Sequence, residues 1–306
     1  MIRVDFRDQI SKNKWKSFFL MVIIFVVFVV FGYVISQAFF EPGLFFMIMI
    51  IVIVISISYI LVSYYNSDKI AVASVGAKKA DRADYKQYYS IVEGLTIASG
   101  MPMPKLYIMK SEQINAFASG RDPQHAIVCV TKGALEKLDK RELEGVLAHE
   151  LGHVASYDMR YMTLVAVMVG MIAIVSQIFL RSLWFRSGDS RDKGIFIIIG
   201  IVMAILAPIV VYFVQMSISR KREFVADASA VKFTRYPNGL INALKKIQKD
   251  VVEPEKRVSK AVAPLFFSNP FRVSQAHSSP PKRGRTKGLS STHPTIEKRI
   301  QTLERM

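Results

Sequence analysis

The feature that most constrains the fold of this 306-residue chain is a set of long apolar blocks, at residues 18–40, 44–65, 161–180 and 194–218. A helix of about 22 residues, rising about 1.5 Å per residue, is long enough to cross a hydrocarbon core of about 30 Å. Hydrophobic residues make up 51% of the chain, and they concentrate in these blocks instead of spreading evenly. The pattern predicts a mainly α-helical membrane protein whose four transmembrane helices form two hairpins, at residues 18–65 and 161–218.

The chain carries a formal net charge of +17, and three interpretations compete for it. The excess of Lys and Arg could form a nucleic-acid-binding face, cover an ordinary soluble domain, or flank transmembrane helices. The apolar blocks favour the last interpretation, because positive residues accumulate at the cytoplasmic ends of membrane helices. We therefore expect the chain to contact the lipid bilayer and to bind no nucleic acid.

The distribution of charge also predicts the orientation of the chain. The N-terminal segment, residues 1–17, contains five Lys and Arg, whereas the turn at residues 41–43 contains none. Four spans place both termini on one side, which the positive-inside rule makes the cytoplasm. The loop after the third block opposes this orientation with a basic set of its own: Arg181, Arg186, Arg191 and Lys193. The N-terminal segment and a basic cluster at residues 220–222 outweigh it, which predicts a multi-pass protein of the cytoplasmic (inner) membrane.

The remaining segments, residues 66–160 and 219–306, are predicted to form the two parts of one cytoplasmic α+β domain with a small β-sheet. Its expected elements are helices at residues 86–98, 223–249 and from about 295, and strands within residues 103–120 and at 126–131. Residues 268–292 are rich in Pro, Gly, Ser and basic residues, which is typical of a flexible loop. The single cysteine, Cys129, lies in a predicted buried strand, and no intrachain disulfide can form.

A further helix is predicted after Asp139, where Glu142 is placed for a capping box, and this helix carries His149 and His153. The two histidines are four residues apart, so they lie on one helical face and can bind the same zinc ion. Glu150 is not a natural third ligand from that face. It can instead take a proton from a zinc-activated water as it attacks a peptide carbonyl, and deliver it to the leaving amine.

The alternative is a solvated helix face on which the two histidines are incidental. The flanking residues disfavour it, because Val146, Leu147, Leu151 and Val154 indicate a largely buried helix. An unpaired buried carboxylate at Glu150 would be costly, and a metal with its water would account for it.

A catalytic zinc needs a third protein ligand and an open position. Glu223 and Asp227 are candidates, since they lie four residues apart on one helical face among small alanines that permit close helix packing. Glu223 could bind zinc while Asp227 accepts a hydrogen bond from a ligand histidine. A salt-bridged surface face beside Arg220 and Arg222 explains the same residues equally well, so both interpretations stay open at this point.

The chain resembles the HtpX-type membrane zinc metalloproteases, which are relatives of the CAAX prenyl proteases. The resemblance rests on four motifs in the same order and spacing: INAFASG at residues 114–120, ELEGVLAHELGH at 142–153, REFVADASA at 222–230 and STHPTIEKRI at 291–300. It covers nearly the whole chain, and it departs from the family pattern mainly at residues 251–291, which leaves the substrate preference open.

The resemblance implies a zincin-like domain with one Zn2+ per chain. It implies that His149, His153 and Glu223 bind this zinc, that Glu150 is the general base, and that Asp227 supports a ligand histidine. The implied activity is that of a zinc endopeptidase which cuts misfolded or damaged membrane proteins and other unfolded polypeptides. A non-enzymatic membrane scaffold with a structural zinc is the alternative, although a closed site needs four ligands and no cysteine lies near the histidines.

The resemblance also implies residues that contact the substrate. Asn115 and Ala116 would lie on a strand edge beside the cleft, where an extended substrate can pair with the sheet. His293 and Arg299 would help to polarise the scissile carbonyl. A turn residue at Asn115 and a helix-capping segment at His293 are the simpler alternatives.

The junction between the His149–His153 helix and the third apolar block is the remaining question. Ser156, Asp158 and Arg160 are interpreted as the aqueous boundary of the membrane, so that the metal ligands lie just outside it. The sequence does not determine whether the helix continues unbroken through Tyr157.

Overall fold

The computed structural model describes residues 6–36, 42–166, 220–250, 258, 265–271 and 294–306. Three predicted features lie wholly or mostly outside the described residues: the second hairpin, the 268–292 loop and His293. The described part is mainly helical with a small mixed sheet, which confirms the predicted fold class at that level. The number of transmembrane helices beyond the first hairpin stays a prediction.

The first hairpin consists of α1 (Phe6–Ser36) and α2 (Pro42–Tyr65). Each contains a stretch that is long and apolar enough to cross a membrane, Ile10–Val30 and Phe45–Tyr65 respectively. Helix α1 begins well before the apolar block at residue 18, so part of the basic N-terminal segment belongs to the same helix. The two helices pack closely at Gly32, where an added Cβ would lie 2.6 Å from Val52 Cγ2.

The sheet has four strands: β1 (Lys78–Lys79), β2 (Lys105–Met109), β3 (Ala116–Ser119) and β4 (Ile127–Thr131). Their order is β1-β2-β4-β3, with β2 parallel to β4 and the other pairs antiparallel. β3 is therefore at an edge of the sheet. Residue Phe117 on that edge forms an isolated antiparallel bridge with Phe266, so a short segment from late in the chain covers it.

The helices around the sheet are α3 (Ser67–Ser74), α4 (Lys86–Ser99), α5 (Lys132–Lys137), α6 (Lys140–Ala155), α7 (Arg220–Thr234), α8 (Pro237–Lys249) and α9 (Ile296–Leu303). Residues 223–249, expected to be helical throughout, form two helices. The break falls where Arg235 has a left-handed backbone (φ 53°) and Pro237, which has no N–H to donate, opens α8.

Helix α6 begins as predicted and lies at the centre of the domain. The Asp139 carboxylate accepts a hydrogen bond from the Glu142 N–H (2.9 Å), and the Glu142 carboxylate accepts one from the Asp139 N–H (2.8 Å). The helix packs against α7 at Gly152, where an added Cβ would lie 3.1 Å from the carbonyl oxygen of Ala226. Small residues on both helices therefore bring α7 close enough to place its side chains beside the histidines.

The structure also answers the question about the end of this helix. Helix α6 stops at Ala155, Tyr157 adopts a left-handed backbone (φ 61°), and a second helical segment starts at residue 158. This segment packs on α1 through a buried cluster of Leu20, Ile24, Tyr161, Leu164 and Val165.

Candidate active site

Three side chains that could bind a metal meet between α6 and α7. The nearest ligand atoms of His149, His153 and Glu223 all lie within 4.8 Å of one another, and all three residues are buried. The two Nε2 atoms are 3.2 Å apart, and they lie 3.7 Å and 3.6 Å from the Glu223 carboxylate oxygens. Two imidazoles and one carboxylate form a donor set that suits catalytic zinc, and three protein ligands leave a position open.

Asp227 lies directly behind His149. Its Oδ1 is 2.9 Å from His149 Nδ1, so the ring donates its Nδ1 proton to the carboxylate and keeps Nε2 for the metal. Arg299 holds Asp227 in turn, donating from Nη2 to Oδ1 (2.6 Å) and from Nε to Oδ2 (3.0 Å). The guanidinium of Arg299 also lies over the ring of Phe267, 4.7 Å from its centroid.

His153 has a carboxylate partner of its own, which the sequence motifs did not point to. Asp158 Oδ2 lies 3.4 Å from His153 Nδ1 and accepts a hydrogen bond from the Ser156 hydroxyl at 2.8 Å. Ser156 and Asp158 are 1% and 0% exposed, so these two polar residues face the protein interior and not an aqueous boundary. The sequence did contain one signal: Asp158 follows His153 by five residues, and its carboxylate can return to the His153 ring if the helix ends between the two.

The two histidines have opposite charge preferences. Burial, and after it the nearby Arg299, lowers the pKa of His149 to about 4. Burial also acts to lower the pKa of His153, but the hydrogen bond to Asp158 and the Glu223 carboxylate raise it to about 9. A protonated His153 can thus donate to neutral His149 across their 3.2 Å contact. A metal at this site requires both nitrogens unprotonated, so the pair must lose that proton on binding.

Glu150 lies beside this group and is 2% exposed. Burial raises the pKa of its carboxyl to about 7. The Glu223 carboxylate also raises this pKa, whereas His153, a hydrogen bond from the Ala118 amide and Arg299 act to lower it. Because Ala118 belongs to β3, the candidate base is connected to the edge strand. A carboxyl with this pKa can both accept and return a proton near neutral pH.

The edge of β3 is occupied by the chain itself. Asn115 donates from Nδ2 to the Ser268 carbonyl (2.7 Å) and accepts the Ser268 N–H (3.0 Å). The Ala116 carbonyl accepts the Phe267 N–H at 2.8 Å. Phe267 also packs edge-on against His149, with 4.9 Å between ring centroids. A substrate strand that pairs with β3 at Asn115 and Ala116 must therefore displace residues 266–268, or else pair with a part of β3 that these residues do not cover.

Known proteins resemble this chain along its whole length. The model of Peptidase family M48 matches residues 82–306. The Protease HtpX homolog of Dictyoglomus turgidum is 42% identical over 303 residues, which cover 98% of this chain and 95% of that protein. The Protease HtpX homolog of Thermoanaerobacter pseudethanolicus is 39% identical over 311 residues, 99% of each chain. The crystal structure of S. mikatae Ste24p matches 97% of this chain and 67% of that one, with 18% identity and a TM-score of 0.48.

The family match covers most of the chain, and the HtpX relatives align with it nearly end to end. The chain therefore belongs to peptidase family M48 and is a metalloprotease similar to the HtpX proteases.

Proposed function

We propose that this metalloprotease is a zinc-dependent endopeptidase that cuts misfolded or damaged membrane proteins, with Glu150 as the general base. The observation that carries the proposal is the convergence of His149, His153 and Glu223, with the buried Glu150 carboxyl beside them. Among the described residues no fourth ligand joins this group, which favours a catalytic over a closed structural site.

Each side chain has a distinct role in this proposal. His149, His153 and Glu223 hold the metal, and Asp227 and Arg299 fix the ring of His149. Zinc in this position supplies Lewis acidity, which makes water a better nucleophile and polarises a carbonyl. Glu150 accepts the proton of the attacking water on its carboxylate and then donates it to the leaving amine, for which a pKa of about 7 is well suited.

The membrane helices determine which substrates reach the site. Tyr64 and Tyr65 end α2, and they contact the domain directly: the guanidinium of Arg160 lies 4.8 Å from the ring centroid of Tyr64, and Arg121 Nη1 donates to the Tyr65 carbonyl at 3.0 Å. The domain is thus held against the ends of the membrane helices, where polypeptide segments leave the bilayer. The basic N-terminal segment supports a cytoplasmic location for this domain in the inner membrane.

The test is the cleavage of an unfolded membrane protein by the purified full-length chain with zinc. Glu150→Gln should lower kcat by at least about 100-fold, the contribution expected of a general base, while zinc content stays unchanged. Glu144→Gln is the matched control on the same helix, because within the described part of the chain its ion pair is with the exposed Arg141, and it should cleave within about twofold of wild type. Cleavage by Glu150→Gln at the wild-type rate would rule out the mechanism.

A further inference from the structure

The first membrane helix contacts the junction beside the candidate metal site through the buried side chain of Asn13. Asn13 of α1 is 3% exposed, although it lies in a basic segment between two exposed lysines. Its Nδ2 donates to the Ser156 carbonyl (2.9 Å) and to Asp158 Oδ1 (2.7 Å). Both protons of the amide are therefore used, and both acceptors belong to the junction that follows the histidine helix.

Asp158 connects Asn13 to His153. It is fully buried, and its two oxygens have different partners: Oδ1 accepts from Asn13, while Oδ2 accepts from Ser156 and faces His153 Nδ1. A buried carboxylate takes the orientation that satisfies its hydrogen bonds. Without the Asn13 donor, Oδ1 would turn toward Arg222 Nη1, which lies 4.0 Å away, and Oδ2 would leave the His153 ring.

The backbone around Asp158 is also held by α1. Tyr157 has a left-handed backbone (φ 61°), which a residue with a bulky side chain adopts only when its surroundings impose it. The Lys14 ammonium lies over the Tyr157 ring, 4.6 Å from its centroid, and Asn13 binds the carbonyl of the preceding Ser156. Two adjacent residues of α1 thus fix the turn from which Asp158 projects.

We propose that Asn13 is a positioning residue for the metal centre: through its hydrogen bond to Asp158, the first membrane helix sets the orientation of the His153 ring. The inference rests on the proposed function, in which His153 is a zinc ligand. It extends that function by making metal binding depend on how α1 packs against the junction at residues 156–158.

The experiment measures zinc affinity, by competition with a chelator, on the metal-free full-length protein in lipid nanodiscs. The variants are Asn13→Ala, Asp158→Asn, the double variant and Ser17→Ala. Ser17 is the matched control, since it is fully buried one turn further along α1 and, among the described residues, its hydroxyl donates to the Asn13 carbonyl (2.8 Å) and not to Asp158. Thermal unfolding of each metal-free variant is recorded as well, and Asn13→Ser, whose hydroxyl can bond within α1, replaces Asn13→Ala if the latter does not fold.

Asn13→Ala should bind zinc about tenfold more weakly, the lower end of the effect expected when the partner of a metal ligand, here Asp158, is displaced. Ser17→Ala should bind zinc with an affinity within about twofold of wild type. The double variant should bind zinc about as tightly as Asp158→Asn alone, within about twofold, because Asn13 acts through Asp158. The proposal would be overturned if Asn13→Ala kept wild-type zinc affinity or if Ser17→Ala lost as much affinity as Asn13→Ala. It would also be overturned if the double variant bound zinc a full tenfold more weakly than Asp158→Asn.

One more variant separates this inference from the proposed function. His153→Ala should abolish tight zinc binding. If it did and Asn13→Ala bound normally, only the role of Asn13 would be wrong. If His153→Ala kept tight binding, the ligand set itself would be wrong, and with it the proposed function.

Discussion

At the scale of single residues, two roles for Arg299 can be distinguished by experiment. The family resemblance assigns it to the scissile carbonyl, whereas the structure shows its guanidinium bound to Asp227 by two hydrogen bonds and 3.7 Å from Glu223 Oε2. A residue that holds Asp227 acts on the metal ligands, and a residue that polarises the carbonyl acts on the reaction step. The two roles predict different losses on substitution.

We expect Arg299→Lys to lower zinc affinity by about tenfold, because lysine keeps the charge but cannot form the two-pronged contact with Asp227. Competition with a chelator measures the affinity, and Lys298→Arg, an exposed neighbour on α9, is the control. A variant with normal zinc affinity and a large loss in kcat would instead assign Arg299 to the carbonyl.

The limits of sequence reasoning are also visible at this scale. His149 and His153 could be predicted to share a site because helix geometry places residues four apart on one face. The local pattern around Glu223 and Asp227 fits two interpretations equally well, and only the family resemblance assigns them to the metal site. Their place beside the histidines depends on the packing of α7 on α6, which no local pattern encodes. Asn13 could not be found at all, since its partner Asp158 lies 145 residues further along the chain and no local pattern relates the two.

At the scale of elements, the site depends on how closely α6 packs with its neighbours. The sequence predicts where α6 begins, because a capping box is a local signal. It does not predict the breaks at Tyr157 and Arg235, since a left-handed backbone at a non-glycine residue is imposed by tertiary contacts. Two glycines of α6 mark where other helices approach it closely: Gly145 lies against α8 and Gly152 against α7.

Gly145→Ala tests this packing. The added Cβ would lie 2.5 Å from the backbone nitrogen of Leu240, so α8 must move away from α6. We expect a loss of about 1–3 kcal/mol in stability, despite the better helix propensity of alanine. Gly94→Ala in α4 is the control: its Cβ would meet nothing within 4 Å, and it should stabilise the protein by about 0.5–1 kcal/mol. Equal melting temperatures for the two variants would contradict the role of Gly145.

At the scale of the whole molecule, the proposed metal ligands come from two parts of the chain that are far apart in sequence. His149 and His153 belong to α6, and Glu223 belongs to α7, with residues 167–219 between them. A metal bound by all three must connect these parts in the folded state only. Its binding should therefore stabilise the whole domain and not just the site.

Cys129 gives a direct measure of this stabilisation. It is 1% exposed in β4, and burial raises the pKa of its thiol, so even alkaline buffer produces little of the reactive thiolate in the folded protein. In the unfolded chain an ordinary cysteine pKa of about 8.5 returns, and alkylation accelerates as the pH rises toward that value. At a fixed pH, the labelling rate then reports how often the sheet opens.

In the Glu150→Gln background, which lacks the proposed general base, zinc at a free concentration 100 times its dissociation constant should stabilise the fold by about 2.7 kcal/mol. The opening that exposes Cys129 would then become about 100-fold rarer, and alkylation would slow by the same factor, as mass spectrometry of the labelled protein can measure. Adding His153→Ala to this background should remove the protection, because the ligand set is then incomplete. If the protection survived His153→Ala, zinc would stabilise the protein at another site. If zinc left the labelling rate of the Glu150→Gln protein unchanged, the two parts of the chain would not be joined by a metal.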